Sequence, residues 1–156
     1  MKRALQSCGL VACLWAAGCG GPPPEDSQVE SVTAGLTAAA SAFTGKLTVS
    51  ATSVAVGTPI VVSESATNLT NGQLGPIILG IYRVGFNVTA VQKPRTGICR
   101  IAGSATCNFI ELAPQETQTY TLTLVPTTAG TFTIKGWATS STITGGASEA
   151  VAVTVH

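Results

Sequence analysis

From Lys46 onward, apolar and hydroxyl-bearing residues alternate with a period of two. Leu47, Val49 and Ala51 are interleaved with Thr48, Ser50 and Thr52. Phe86, Val88 and Ala90 alternate with Asn87 and Thr89, and Tyr120, Leu122 and Leu124 with Thr119, Thr121 and Thr123. Phe132 and Ile134 repeat the pattern against Thr131, Thr133 and Lys135. Successive strand side chains point to opposite faces, so each segment commits one face to a core and the other to a polar surface. Ile60 to Asn68 reads as a further strand, and Val151, Val153 and Val155 as the last. The continuous apolar run Ile77–Tyr82 is expected to be covered on both faces. Gly57-Thr58-Pro59 and Asn68-Leu69-Thr70-Asn71-Gly72 punctuate the strands. About eight or nine short strands with such turns predict an all-β antiparallel β-sandwich. The region shows no helical periodicity and no internal repeat.

Charge decides little about fold but excludes one class of partner. Only 10% of residues are charged, against a usual quarter. Lys46–His156 holds six basic residues and four Glu, too slight an excess for the basic footprint of a nucleic-acid binder. The 5% of aromatic residues means that a core here is built mostly from aliphatic side chains.

The N-terminus reads as an address. Met1-Lys2-Arg3 is a positive start, and Ala4 to Ala17 is mostly apolar, with Leu10, Val11, Leu14 and Trp15. That is the layout of a secretory signal, and it falls short of the ~20 residues a spanning helix needs. Ala16-Ala17-Gly18-Cys19 resembles the lipobox cut by lipoprotein signal peptidase, with Ala16 where the pattern prefers Leu. Leu10-Val11-Ala12-Cys13 fits the letters better but leaves an apolar core of about eight residues, near the lower limit for export. Cys19 is therefore favoured over Cys13. The alternative is a plain secretory peptide with incidental cysteines. Residues 1–18 are expected to be a signal peptide, 19–45 a lipidated cysteine and tether, and 46–156 the folded domain. The resemblance implies a diacylglyceryl group on the Cys19 sulfur and a membrane anchor. Gly20, where many inner-membrane lipoproteins carry Asp, tilts the expectation to the outer membrane of a Gram-negative cell envelope. Gly20-Gly21-Pro22-Pro23-Pro24 reads as extended chain. Val29, Val32, Leu36 and Phe43 fall near helical spacing, so a weak helix and a coil both stay open for that stretch.

With Cys8 and Cys13 removed and Cys19 lipidated, Cys99 and Cys107 remain as an even pair in an exported chain. A hairpin loop at Ala102-Gly103-Ser104 sets residues 99 and 107 opposite each other, within disulfide range. A redox or metal pair is the weaker reading, because there is no Cys-x-x-Cys and the one histidine is His156.

Val56-Gly57, Ala66-Thr67-Asn68, Gly85-Phe86-Asn87-Val88, Gly97-Ile98-Cys99, Cys107, Leu112-Ala113-Pro114 and Pro126-Thr127-Thr128-Ala129-Gly130-Thr131 follow in that order. This series resembles the bacterial conserved-repeat Ig-like domain known as domain of unknown function 11, over nearly all of Lys46–His156. Gln115 stands where that family usually has Gly, and Ile77–Arg83 replaces an Asp-rich stretch. The resemblance implies an Ig-like sandwich in a surface or secreted protein, acting as a structural, spacer or adhesive module. It implies no catalytic residues.

A search for chemistry agrees with that implication. The domain has no Asp, so a Ser-His-Asp arrangement cannot be assembled. Zinc and calcium lack clustered ligands, and no Gly-rich phosphate loop occurs. Catalytic residues, metal and cofactor are therefore all expected to be none. Three features stand out. Glu64 shares parity with Ile60, Val62 and Ala66, which allows an inward, ligand-facing acid or, more commonly, an edge strand or a break in the alternation. Lys93, Arg95 and Arg100 cluster around the 91–101 connection, as a contact for anionic glycan or as a solvated loop. Trp137 shares parity with Thr133 and Lys135 on the outer face, as a sugar-stacking platform or as a packed edge residue. Asn68-Leu69-Thr70 and Asn87-Val88-Thr89 match the glycosylation acceptor pattern, which means little in a bacterial lipoprotein. The expectation is a non-enzymatic, lipid-anchored envelope module with a structural, spacer or adhesion role, with envelope proteins as partners. The alternative is a surface lipoprotein binding carbohydrate or glycan.

Overall fold

The computed structural model of the chain describes residues 41–156. Cys19, the signal segment and the possible helix before residue 41 lie outside them. Ten strands run in order: β1 Phe43–Val49, β2 Ser53–Val54, β3 Ile60–Asn68, β4 Leu74–Tyr82, β5 Phe86–Gln92, β6 Ile98–Arg100, β7 Ala105–Leu112, β8 Thr117–Pro126, β9 Gly130–Thr139 and β10 Ala147–Val155. They form a four-stranded sheet, β1-β3-β8-β5, and a six-stranded sheet, β2-β10-β9-β4-β7-β6. All pairs are antiparallel except the short β2–β10 pair. This is the Ig-like β-sandwich.

The alternating residues do what their parity predicts. Val62, Ala66, Tyr120, Leu122 and Leu124 line the interior from one sheet, and Ile77, Leu79, Ile81, Ile110, Leu112, Ile134 and Val153 from the other, all fully buried. Each such aliphatic side chain contributes roughly 1.5–3 kcal/mol on burial. Cys99 and Cys107 are opposite residues of β6 and β7, with Cα atoms 4.0 Å apart and a disulfide between them. Both strands belong to the six-stranded sheet, so the bridge staples a hairpin and does not join the sheets. Closing so short a loop is worth about 2.5 kcal/mol in the chain-entropy model.

Two expectations are corrected. Phe43, assigned to the tether, is fully buried in β1, where it pairs with Asn68 and packs near Gly145. Phe43, Gly45 and Leu47 share the inward parity of β1. The run Ile77–Tyr82 is not covered on both faces throughout. Ile78 is half-buried and Tyr82 exposed, and only Gly80 is sealed on the outside. A Cβ at Gly80 would lie 2.1 Å from Trp137, whose ring occupies that space.

Glu64 points inward, as its parity allows, but not from an edge. β3 lies between β1 and β8, and Glu64 is 1% exposed. Its carboxyl fits against Gly136 of β9 and Gly45 of β1; a Cβ on Gly136 would meet Oε2 at 2.1 Å. Oε2 has no hydrogen-bond partner among the described residues. Burial, and secondarily the charge of Glu149, push its pKa from the ordinary 4.5 up to about 8. Glu149 itself reaches across the seam, and its Oε2 accepts the Leu47 N–H of β1 at 2.9 Å. Tyr120, opposite Glu64 in β8, is the other titratable group on that inward face.

Two measurements check this core. Phe43→Ala should cost about 3–5 kcal/mol in denaturant unfolding, whereas a tether residue would cost nothing. The folded chain holds a Glu64 proton that the unfolded chain releases above about pH 4.5, so stability should be full below that and fall as pH rises to about 8. Glu64→Gln should flatten the melting-temperature profile over that window and raise it at pH 8; an unchanged slope would refute the assignment.

Candidate functional site

The two outer faces of the sandwich differ in chemistry. On the four-stranded sheet, outward positions of β3 and β8 carry Ser63, Ser65, Thr67, Thr117, Thr119 and Thr121 in facing pairs. Ser63 and Thr121 hydroxyls lie 2.8 Å apart, as do those of Thr67 and Thr117. Such cross-strand pairs each contribute roughly 0.2–1 kcal/mol and satisfy each other. Val61 and the half-buried Val125 are the apolar exceptions on those two strands. The outer face of the six-stranded sheet is different. Ile98 on β6 is 64% exposed, Phe109 on β7 65% and Tyr82 on β4 42%, with Ile78 half-buried on β4 and Trp137 half-buried on the neighbouring β9. Three large apolar residues are thus exposed on this one face.

Register explains why these residues share a face. Arg100 pairs with Thr106, Thr106 with Gly80, and Gly80 with Trp137. Directly opposed residues point the same way, so Arg100 and Trp137 lie in one row, three strands or about 14 Å apart. Tyr82 follows Gly80 by two and pairs with Lys135. Ile98 pairs with Asn108.

Phe109 joins them through a bulge. β7 pairs Cys107 with Leu79 and Ile110 with Ile77, so Asn108 and Phe109 together oppose the single residue Ile78. Cys107 and Ile110 are both fully buried, and the extra residue between them is turned outward. Phe109 holds φ at +60°, a left-handed conformation uncommon for an aromatic residue. A second bulge lies beside it, where Gly75 and Pro76 of β4 oppose Glu111. Phe109 lines two depressions. One, of about 490 Å³, is lined by Gln73, Leu74, Gly75, Pro76, Phe109 and Glu111. The other, of about 240 Å³, is lined by Pro76, Ile78, Asn108, Phe109 and Ser141.

The basic cluster disperses. Arg95 makes a bidentate pair with Glu116, with Nη2 to Oε2 at 2.9 Å, in the connection from β5 to β6. Each partner shifts the other: hydrogen bonding to Glu116 raises Arg95, and hydrogen bonding to Arg95 holds Glu116 below the usual carboxylate range. Lys93 is exposed at the end of the four-stranded sheet, while Arg100 stands on the outer face of the other. Trp137 shares a face with Arg100 alone of the three. It packs over Gly80 in the middle of its sheet and not at an edge. Asn68 is no acceptor for a glycan: it is fully buried, and its Nδ2 donates to the carbonyls of Gly72, Leu112 and Ala113. Glu64 lines neither depression. Among the described residues, no group of three or more His, Cys, Asp or Glu could hold a metal.

No protein-family model matches the chain, and no curated protein sequence does. Solved structures similar in fold include cohesin domains. A cohesin from a type I cohesin–dockerin complex of Clostridium thermocellum matches with a TM-score of 0.52 at 12% identity, over 72% of this chain and 99% of that one. The third ScaC cohesin of Acetivibrio cellulolyticus, solved with the ScaB dockerin, gives 0.53 at 10% identity, over 72% and 98%. A CARDB domain of Pyrococcus furiosus, solved in complex with di-metal ions, gives 0.49 at 17% identity, over 73% and 85%. At these identities the likeness is one of fold: an Ig-like β-sandwich.

Proposed function

We propose that this chain is a non-enzymatic module of the cell envelope, lipid-anchored at Cys19, that docks a protein partner on the outer face of its six-stranded sheet. The observation that carries the docking role is the asymmetry between the two outer faces. One is a ladder of mutually bonded hydroxyls. The other exposes Ile98, Phe109 and Tyr82, with Ile78 half-buried on β4 and Trp137 half-buried beside them on β9. Aromatic anchors ringed by polar residues suit a protein interface. Cohesins of similar fold were solved in complex with dockerin partners, which supports a protein-binding role for a sandwich of this kind.

The anchor rests on the lipobox resemblance, and an oxidising compartment on the disulfide. The kinship with conserved-repeat Ig-like domains has one local support. Gln115, standing where that family has Gly, adopts φ of +59°, the conformation a glycine turn would take. The glycan alternative has less behind it. Arg95 is engaged by Glu116, and Trp137 is half-buried against Gly80.

Photocrosslinking in intact cells tests the docking face. A benzophenone side chain at Tyr82 should give an adduct of defined mass, and the same group at Thr121, on the hydroxyl face, should give none. No adduct at Tyr82, or equal adducts at both, would sink the docking role. Intact mass of protein from its native membrane tests the anchor. It should begin at Cys19 with added acyl chains and rise by about 2 Da on reduction. A start elsewhere without lipid would mean a soluble exported domain.

A further inference from the structure

Phe109, with Pro76, lines two depressions of unlike chemistry. In one, Pro76 and the ring supply apolar lining beside the Glu111 carboxylate. Gln73 Nε2 donates to Glu111 Oε2 at 3.1 Å and steadies that group at the rim. A lysine or arginine fits such a place, its aliphatic stem on that lining and its charge on the carboxylate, with the ring face adding cation–π attraction. In the other, Ile78, Pro76 and the ring suit an aliphatic side chain, and Asn108 and Ser141 at the rim suit its backbone.

The local field favours the cation. Arg100 stands opposite Thr106, five residues along β7 from Glu111. That is about 16 Å in a strand, beyond the ~8 Å screening length of physiological salt. Arg95 lies nearer in the chain's path, since its neighbour Thr96 bonds the Glu111 backbone, but its guanidinium is directed to Glu116.

The spacing favours an extended segment. Two side chains seated on either face of the ring, each at a carbon contact of ~3.5–4.0 Å, would stand roughly 7–8 Å apart. Residues i and i+2 of an extended chain lie about 6.6 Å apart on one side. We propose that the bulged Phe109 is straddled by an extended segment of the protein partner, with a basic residue in the Glu111 depression and an aliphatic residue two positions away in the Ile78 depression. This inference rests on the docking role of the six-stranded sheet and names the partner chemistry that one end of it reads.

Selection of phage-displayed random heptapeptides on the whole exported chain tests it. The expected enrichment is Lys or Arg, any residue, then Val, Ile or Leu. Phe109→Gly, which the backbone at φ +60° accepts without strain, should abolish the enrichment. Glu111→Lys should exchange the basic residue for Asp or Glu while the aliphatic position stays. That reversal is beyond a merely destabilised fold. No enriched pattern, or a pattern indifferent to Glu111→Lys, overturns the inference. In that event an adduct at Tyr82 would still uphold the docking face, and its absence would remove both.

Discussion

Two sheets share one interior, and each strand must present its apolar parity to it. A slip of one residue would turn a whole strand's apolar set to solvent, so burial fixes the register of every pair. Where a strand carries one residue too many, the surplus has to leave the ladder. In β7 the inward positions are Ala105, Cys107, Ile110 and Leu112. Cys107 is tied to Cys99 and Ile110 is set against Ile77, so neither can yield. The extra residue is expelled to the outer face, and that residue is Phe109. The compensating bulge at Gly75 and Pro76 restores parity before Leu74 meets Leu112. The most exposed aromatic ring among the described residues is thus a consequence of how the core is kept in phase.

The sheet edges point away from strand addition as a mode of binding. Exposed edges invite pairing with other chains, and stable proteins shorten, bend or cover them. Here β6 has three residues and β2 two. The edge strand β5 carries a bulge at Thr89 between its pairs with Leu124 and Thr123. β1 is joined across the seam by the bond from Leu47 N–H to Glu149 and by a bridge to Gly145. With its edges managed in these ways, the sandwich offers a face as its natural contact surface.

Alternation made most of the fold legible. The bounds of β3 and the opposition of Cys99 and Cys107 follow from parity and a loop length alone. What stayed hidden depends on pairs distant in sequence. Glu64 was legible as a candidate inward residue, but its burial follows from β3 sitting between β1 and β8, which topology decides. Arg95 looked like part of a basic patch because Glu116 is 21 residues away in sequence. Phe109 had a local sign, two adjacent apolar residues in an alternating strand, yet period two assigns it inward with Cys107. Only the pairing with β4 shows that Ile110 takes the inward place. Phe43 was obscured by an apolar spacing that helices and strands can share over a few residues.

Chemical economy of the sequence gives the outer face its weight. Most aliphatic residues go to the interior, and hydroxyls fill most of the outward positions of β3 and β8 in the four-stranded sheet. Thr–Thr and Ser–Thr pairs there satisfy themselves and leave little for a partner to gain by desolvating them. On the other sheet, Gly80 forgoes a side chain so that Trp137 can lie flat beside Ile78 and Tyr82. A fold needing only a soluble exterior would place threonine at these sites, as it does elsewhere. Apolar surface left on one face of an otherwise hydroxylated sandwich raises the free energy of the isolated domain, and a partner that covers it recovers that free energy.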